Sequence, residues 1–113
     1  MNRLEKLKLK MVGKSPEYCM SLLLPKLTDI TIVPEPDKYY VFVYKAKTPG
    51  IQYDQHPFIV CTSIFPWGFI GFNYHWEAYR QYTWGEVLTN LHQVKQEEVE
   101  TVMGFPLARF KIS

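Results

Sequence analysis

Five residues near the middle of the chain carry side chains able to do chemistry together: Asp54, His56, Cys61, Asn73 and His75. A thiol, an imidazole and a carboxamide are the parts of a Cys–His–Asn arrangement, in which the imidazole takes the thiol proton and the amide orients the ring. The surroundings argue against that use. Cys61 lies inside the apolar run 58–65, and a thiol buried among apolar groups keeps its proton and is inert. No glycine-rich nest adjoins it. Metal chelation needs ligands at short, regular spacing. His56, His75 and His92 are widely separated, and no C-x-x-C or H-x-x-x-H pair occurs. Gly68 and Gly71 fall within a strand pattern and not at a strand-to-helix turn, so they form no phosphate cradle. A structural role accounts for the polar residues better. Asp54 accepts backbone hydrogens in a turn ahead of Pro57, and Asn73 and His75 satisfy buried groups where a strand bends around Gly71. No catalytic residue, metal or cofactor is expected.

Two other groups of residues point to binding. Arg3, Lys6, Lys8, Lys10 and Lys14 stand against Glu5 alone in residues 1–14. Such an arm docks on nucleic-acid phosphates, or it is the solvated face of a helix packed on the rest of the protein. The net charge is only +2, which favours the solvated face. Aromatic residues make up 16% of the chain. Tyr39, Tyr40, Tyr44, Trp67, Tyr74, Trp76, Tyr79, Tyr82 and Trp84 exceed what a small core buries, and aromatics anchor protein interfaces, so Tyr39, Tyr44, Trp67, Trp76, Tyr79 and Trp84 are the expected partner-binding residues. If the partner were nucleic acid, Tyr39, Phe42, Tyr44 and Trp67 would stack on bases.

The elements that must position these residues are short. A chain of 113 residues is one domain. Its 47% apolar and 21% charged residues are ordinary for a globular protein. No apolar run approaches the roughly 20 residues that span a bilayer. Lysines interrupt the apolar residues at the start, so no secretory leader and no membrane partner are expected. The two cysteines read as free thiols in a reducing compartment.

Leu4, Leu7 and Met11 recur at helical spacing, although lysine–leucine alternation over 6–10 also suits a strand. Ser15-Pro16-Glu17 reads as an N-cap with proline in the first turn. It predicts a helix over 18–24 with Tyr18, Leu22 and Cys19 inward, stopped by Pro25. Residues 29–33 suit a short strand before Pro34-Glu35-Pro36-Asp37. Residues 38–76 hold three strands, over 39–44, 58–65 and 69–76, separated by Pro49-Gly50, Asp54, Pro57 and Pro66-Trp67-Gly68. The run 39–44 is apolar on both faces, so it is covered twice or meets a partner. Gly71 marks a bulge or a close backbone approach. Residues 77–82 suit a helical turn. Thr83 caps a predicted helix over 84–94, with Val87, Leu88, Leu91 and Val94 on its apolar stripe. Residues 96–102 suit either a helical extension or a loop, and 107–112 a last strand.

The fold class expected is α+β, mainly β: a small, strongly bent antiparallel sheet or SH3-like barrel, with an N-terminal helix and one helix after the main strands. The single domain divides into a basic helical arm and lead-in (1–36), a β core (37–76) and a helix with a final strand (77–113).

Taken as a unit, the β core is similar to a family of small proteins of large tailed bacteriophages. The likeness rests on the aromatic strand YYVFVYKAK, on Tyr53, Asp54, Pro57, Phe58, Ile59 and Val60 as a Y-D-x-x-P-apolar strand, and on Gly68, Phe69, Gly71, Asn73 and His75 as a G-F-x-G-x-N-x-H strand followed by Trp76 and Arg80. The family carries a basic N-terminal helix and strands of the types Y-Y-D-x-F-P-L-V and G-x-N-x-H-Y-L. His56 stands where it has an aromatic, and Trp76 where it has leucine after tyrosine. The resemblance covers about a third of the chain and transfers no catalytic residue. It implies a phage protein of the host cytoplasm and then the virion. With the aromatic excess, the expectation is a non-enzymatic structural or assembly component of a neck, tail or baseplate, whose partners are other virion proteins. The alternatives are a nucleic-acid-binding β-barrel and a regulator docking on a host enzyme.

Overall fold

A computed structural model describes residues 4–45, 53–108 and 110–111. Its main sheet has six antiparallel strands: β1 (Ile30–Thr31), β2 (Tyr39–Val41), β4 (Phe58–Phe65), β5 (Gly68–Asn73), β6 (Ala78–Thr83) and β7 (Leu91–Val94), in the order β1-β7-β2-β4-β5-β6. A second ribbon pairs β3 (Tyr53–Asp54) with β8 (Phe110–Lys111). Three short helices accompany the sheets: α1 (Leu7–Met11), α2 (Pro16–Leu23) and α3 (Val99–Met103). The main sheet is strongly bent but does not close, so the open sheet is the form taken and not a closed SH3-like barrel. Among the described residues no helix is long and apolar enough to cross a membrane.

The apolar residues on both faces of β2 dictate this architecture. Tyr40 pairs with Ile59 and Val41 with Phe58. Successive side chains point to opposite faces. Tyr40, Phe42, Ile59, Cys61, Phe69, Tyr82 and Leu91 therefore form one core on the inner face, while Val41, Phe58 and Val94 join Leu4, Leu7, Met11, Cys19, Leu23 and Val102 in another under the helices. A bulge between Cys61 and Ser63 shifts the β4–β5 register by one residue. Such a slip exchanges the faces, which explains the mixed faces of the run 58–65.

The helical spacing of Leu4, Leu7 and Met11 is realised, and all three are buried. Ser15 Oγ accepts the Tyr18 N–H at 3.2 Å, with Pro16 in the first turn. The inward face differs from expectation. Cys19, Met20 and Leu23 are buried and Leu22 packs half-buried against the core, whereas Tyr18 is exposed.

Two further expectations are corrected. Residues 77–82 form no helical turn; residues 74–77 turn tightly, with Glu77 at φ 54°, and β6 follows. Asn73 Oδ1 accepts the N–H groups of His75 (2.8 Å) and Trp76 (3.1 Å), which fixes the turn and ends β5 at Asn73 instead of Trp76. The predicted helix over 84–94 is a 3-10 turn, Trp84–Glu86, followed by β7. Val87 bridges Tyr44, and the Leu88 N–H donates to Val43 O at 2.8 Å. Thr89 Oγ1 accepts the Val43 N–H at 3.1 Å and donates to Asn90 O at 3.0 Å. Hydroxyl bonds of this kind compete with a helix, and the open edge of β2 supplies the ladder that wins. Residues 96–102 resolve into a 3-10 turn, Gln96–Glu98, and α3. Arg3, Pro49-Gly50, Arg109 and Ile112 lie outside the described residues.

Gly71 answers to a close approach: a methyl group added there would lie 2.7 Å from Ile59 Cδ1. Gly68 is tighter, since its methyl would lie 1.9 Å from the backbone carbonyl of Tyr82. Gly71→Ala should cost about 1–3 kcal/mol by overpacking. Gly68→Ala should cost more, because a strand backbone has to move. Denaturant midpoints of the two variants check the order; an equal or smaller loss for Gly68→Ala would show that β5 and β6 separate there without penalty.

Candidate docking surface

Two of the exposed aromatics, Phe65 and Trp67, lie together at one end of the sheet. The β4–β5 turn carries Phe65 and Trp67, whose rings stack at 5.1 Å with an interplanar angle of 5°. Both are partly exposed, 37% and 42%. Trp84 fixes this turn from the other side. Its indole N–H donates to Pro66 O at 2.9 Å, its backbone N–H donates to Trp67 O at 3.3 Å, and its ring packs on Phe69 at 5.4 Å.

Beside Trp84 opens a groove of about 730 Å³ lined by Ile32, Val33, Val87, Leu88, Thr89 and Asn90. Ile32 is 79% exposed and Leu88 59%. Local structure holds them outward. β1 pairs over only two residues before the chain bends, and Thr31 Oγ1 donates to Val33 O at 2.8 Å across the bend. Leu88 is tied by its backbone to Val43, and its side chain is left in solvent. Grooves of several hundred Å³ with apolar walls and a few polar groups are typical ligand and peptide sites, and contiguous exposed apolar surface marks interaction sites.

Of the six predicted anchors, Trp67 and Trp84 are brought together through Pro66. Tyr44 is not on the surface; it is 6% exposed, in the inner core, with its hydroxyl accepting the Thr83 N–H at 3.3 Å. Tyr39 is half-buried near Tyr74, rings 6.4 Å apart. Trp76 is half-buried under the Arg80 guanidinium, 4.9 Å from its ring. Tyr79 is exposed on β6 beside Phe72, away from the groove. Phe42 is fully buried. Ile32, Val33 and Leu88 escaped the sequence reading because strand and stripe patterns assign such residues to a core. Lys6, Lys8, Lys10 and Lys14 are all exposed, and the Lys14 ammonium lies 5.6 Å over the Tyr18 ring.

The polar motif residues form a buried network. Asp54 Oδ1 accepts the His56 N–H at 3.0 Å, the Asx-type turn expected ahead of Pro57. Asp54 Oδ2 meets His75 Nδ1 and Asn73 Nδ2, the latter at 3.5 Å. Asn73 Nδ2 also donates to the Tyr82 hydroxyl at 3.0 Å, and His56 Nδ1 meets Leu107 O at 3.0 Å. Asp54, His56 and Asn73 are at most 5% exposed. His75 Nε2 is enclosed without a hydrogen-bond partner. Cys61 stands apart: its thiol contacts Ser63 O at 4.0 Å, and burial pushes its pKa up. Among the described residues no group of three His, Cys, Asp or Glu side chains could hold a metal. The network ties β3 and the segment at Leu107 to β5 and β6.

Burial raises the Tyr82 phenol above its ordinary value of 10.0, against the Asn73 hydrogen bond, which lowers it. Burial raises Tyr40 and Tyr74 as well. A raised pKa in the folded state means that the folded protein holds the phenolic proton more tightly than the unfolded chain. This stability is complete below the ordinary value and is lost as pH rises above it. Stability should therefore fall from about pH 10 upward. Tyr82→Phe should flatten that fall while costing about 1 kcal/mol at neutral pH through the lost hydrogen bond. Denaturant titrations at several alkaline pH values check this; an unchanged slope in Tyr82→Phe would exclude the phenol as its source. No protein-family model matches the chain, and no curated protein or solved structure matches it either.

Proposed function

We propose that this chain is a non-catalytic structural or assembly protein of a tailed-phage particle, in the neck, tail or baseplate, which docks on other protein chains through the groove beside Trp84. The observation that carries the reading is the groove itself. Its wall is a tryptophan held by two hydrogen bonds, and its rim consists of aliphatic side chains held in water by backbone ties. A preformed apolar site loses little side-chain freedom on binding, and this lowers the cost of association. The stacked Phe65–Trp67 pair continues the surface. The phage setting comes from the resemblance of the β core. A nucleic-acid role receives less support, because Phe42 and Tyr44, which base stacking would need at the surface, are in the core.

Leu88→Asp should leave the fold intact, since Leu88 is 59% exposed, and should weaken docking at least tenfold, about 1.4 kcal/mol or more. Quantitative mass spectrometry of purified particles checks the reading. The wild-type chain should be present in fixed copy number and the Leu88→Asp chain depleted. Absence of the wild-type chain from particles would overturn the virion role.

A further inference from the structure

We infer that two copies of this chain join through strand β6, which pairs antiparallel with its own counterpart about Gln81 and extends two six-stranded sheets into one. The contact is separate from the groove beside Trp84 and does not depend on it. β6 is an edge strand: among the described residues it pairs with β5 alone. Its backbone groups alternate in direction, as they must in an antiparallel ladder. The Trp84 N–H donates to Trp67 O at 3.3 Å, on the β5 side. Counting back by two, Tyr82, Arg80 and Ala78 also turn to β5, and the crowding of Gly68 by the Tyr82 carbonyl agrees. Tyr79, Gln81 and Thr83 therefore aim their N–H and C=O groups away from the sheet. The Thr83 N–H is taken by the Tyr44 hydroxyl at 3.3 Å. The groups of Tyr79 and Gln81 meet no other strand among the described residues, and both residues are exposed, Tyr79 by 67%.

An open edge of this kind is a template for another strand, and folded proteins blunt such edges with short strands, lysine, proline or bulges. The opposite edge is blunted, since β1 spans only Ile30–Thr31. β6 is not. Its six residues, AYRQYT, hold no lysine or proline. Its pairing with β5 runs without a bulge. Its one charge, the Arg80 guanidinium, lies over the Trp76 ring at 4.9 Å. The residue order selects a second copy as the occupant. Only outward-aimed residues can exchange hydrogen bonds across a new antiparallel pair. With the two-fold axis at Gln81, Gln81 exchanges both bonds with the partner's Gln81, and the Tyr79 N–H reaches the partner's Thr83 carbonyl. Tyr79 then lies beside the partner's Thr83, a favourable pair of aromatic and β-branched side chains, and Arg80 lies opposite the partner's Tyr82. Other axes do worse. One at Arg80 sets it directly across from the partner's Arg80, like charge against like. One at Tyr79 runs half the pairing into the turn at 74–77, and one at Thr83 lands on an N–H already taken. Because the contact is isologous, it closes at two copies.

Charge substitutions at Gln81 test this. Gln81→Lys and Gln81→Glu each place like charges across the two-fold axis. The site is exposed, and circular dichroism verifies the folds. Sedimentation equilibrium of the wild type should approach the dimer mass with rising concentration and stop there. Each variant alone should dimerise at least about fivefold more weakly. An equimolar mixture of the two should dimerise more tightly than either alone, because lysine then faces glutamate across the axis, and the gain should shrink at high salt. A wild type that stays monomeric to about 1 mM, the weak end of specific association, would overturn the inference. So would a Gln81→Lys chain that dimerises like the wild type, or a mixture no tighter than its parts. Leu88→Asp should dimerise as the wild type does; loss of the dimer in that variant would place the contact between copies at the groove and not at β6.

Discussion

The run 39–44, strand β2 and the three residues after it, keeps most of both its faces from water, and everything else in the molecule answers to that. Tyr40, Val41, Phe42 and Tyr44 are each no more than 6% exposed. Burying an aromatic or aliphatic side chain fully is worth about 1.5–3 kcal/mol, so a strand of such residues is stable only between two covers. The helices supply one. The other has to come from the sheet, which curls until Tyr82 of β6 meets Phe42 and Tyr44 edge to face, at 5.3 and 5.0 Å. The close approaches at Gly68 and Gly71 and the bulge in β4 are what let the sheet curl that far. The 3-10 turn at Trp84 then carries the chain back to the far end of β2.

Tyr82 also joins the core to the polar network. Its ring lies in the aromatic cluster and its hydroxyl accepts from Asn73, which in turn reaches Asp54. A buried carboxylate is tolerable only with partners. Asp54 finds them on a backbone N–H, an amide and an imidazole drawn from two different turns. An arrangement that resembles catalytic machinery in the sequence is here a fastening. Asp54 and Asn73 bind one another and the two turns, His75 Nε2 is left without a hydrogen-bond partner, and the Cys61 thiol lies elsewhere in the inner core.

The chain announced its local signals well. The Ser15-Pro16 cap, the run 58–65 and the Asp54 turn depend on neighbours in sequence, and each is found. The errors share a cause. Val87, Leu88, Leu91 and Val94 fit a helical stripe, but Leu91 and Val94 enter opposite cores and Leu88 enters neither; only the unpaired edge of β2 decides the outcome. The aromatic excess was legible, yet which rings face water was not. Tyr44 is in the inner core while Trp84 lines the groove, a difference set by the bend of the sheet. The groove was invisible for the same reason, since its two walls lie some fifty residues apart in sequence.

Energetics place a constraint on how such a groove is used. Burying what Ile32, Val33 and Leu88 still expose, 79%, 51% and 59%, against a partner returns roughly 3–6 kcal/mol, whereas association costs an estimated 4–15 kcal/mol in lost freedom and ordering. A single contact of this size is weak. Weak contacts become decisive when they are repeated, because each added copy in a closed array is held at two surfaces and the second engagement is intramolecular. A small domain with one modest groove is therefore better suited to a place in a multi-contact assembly than to tight capture of a lone partner.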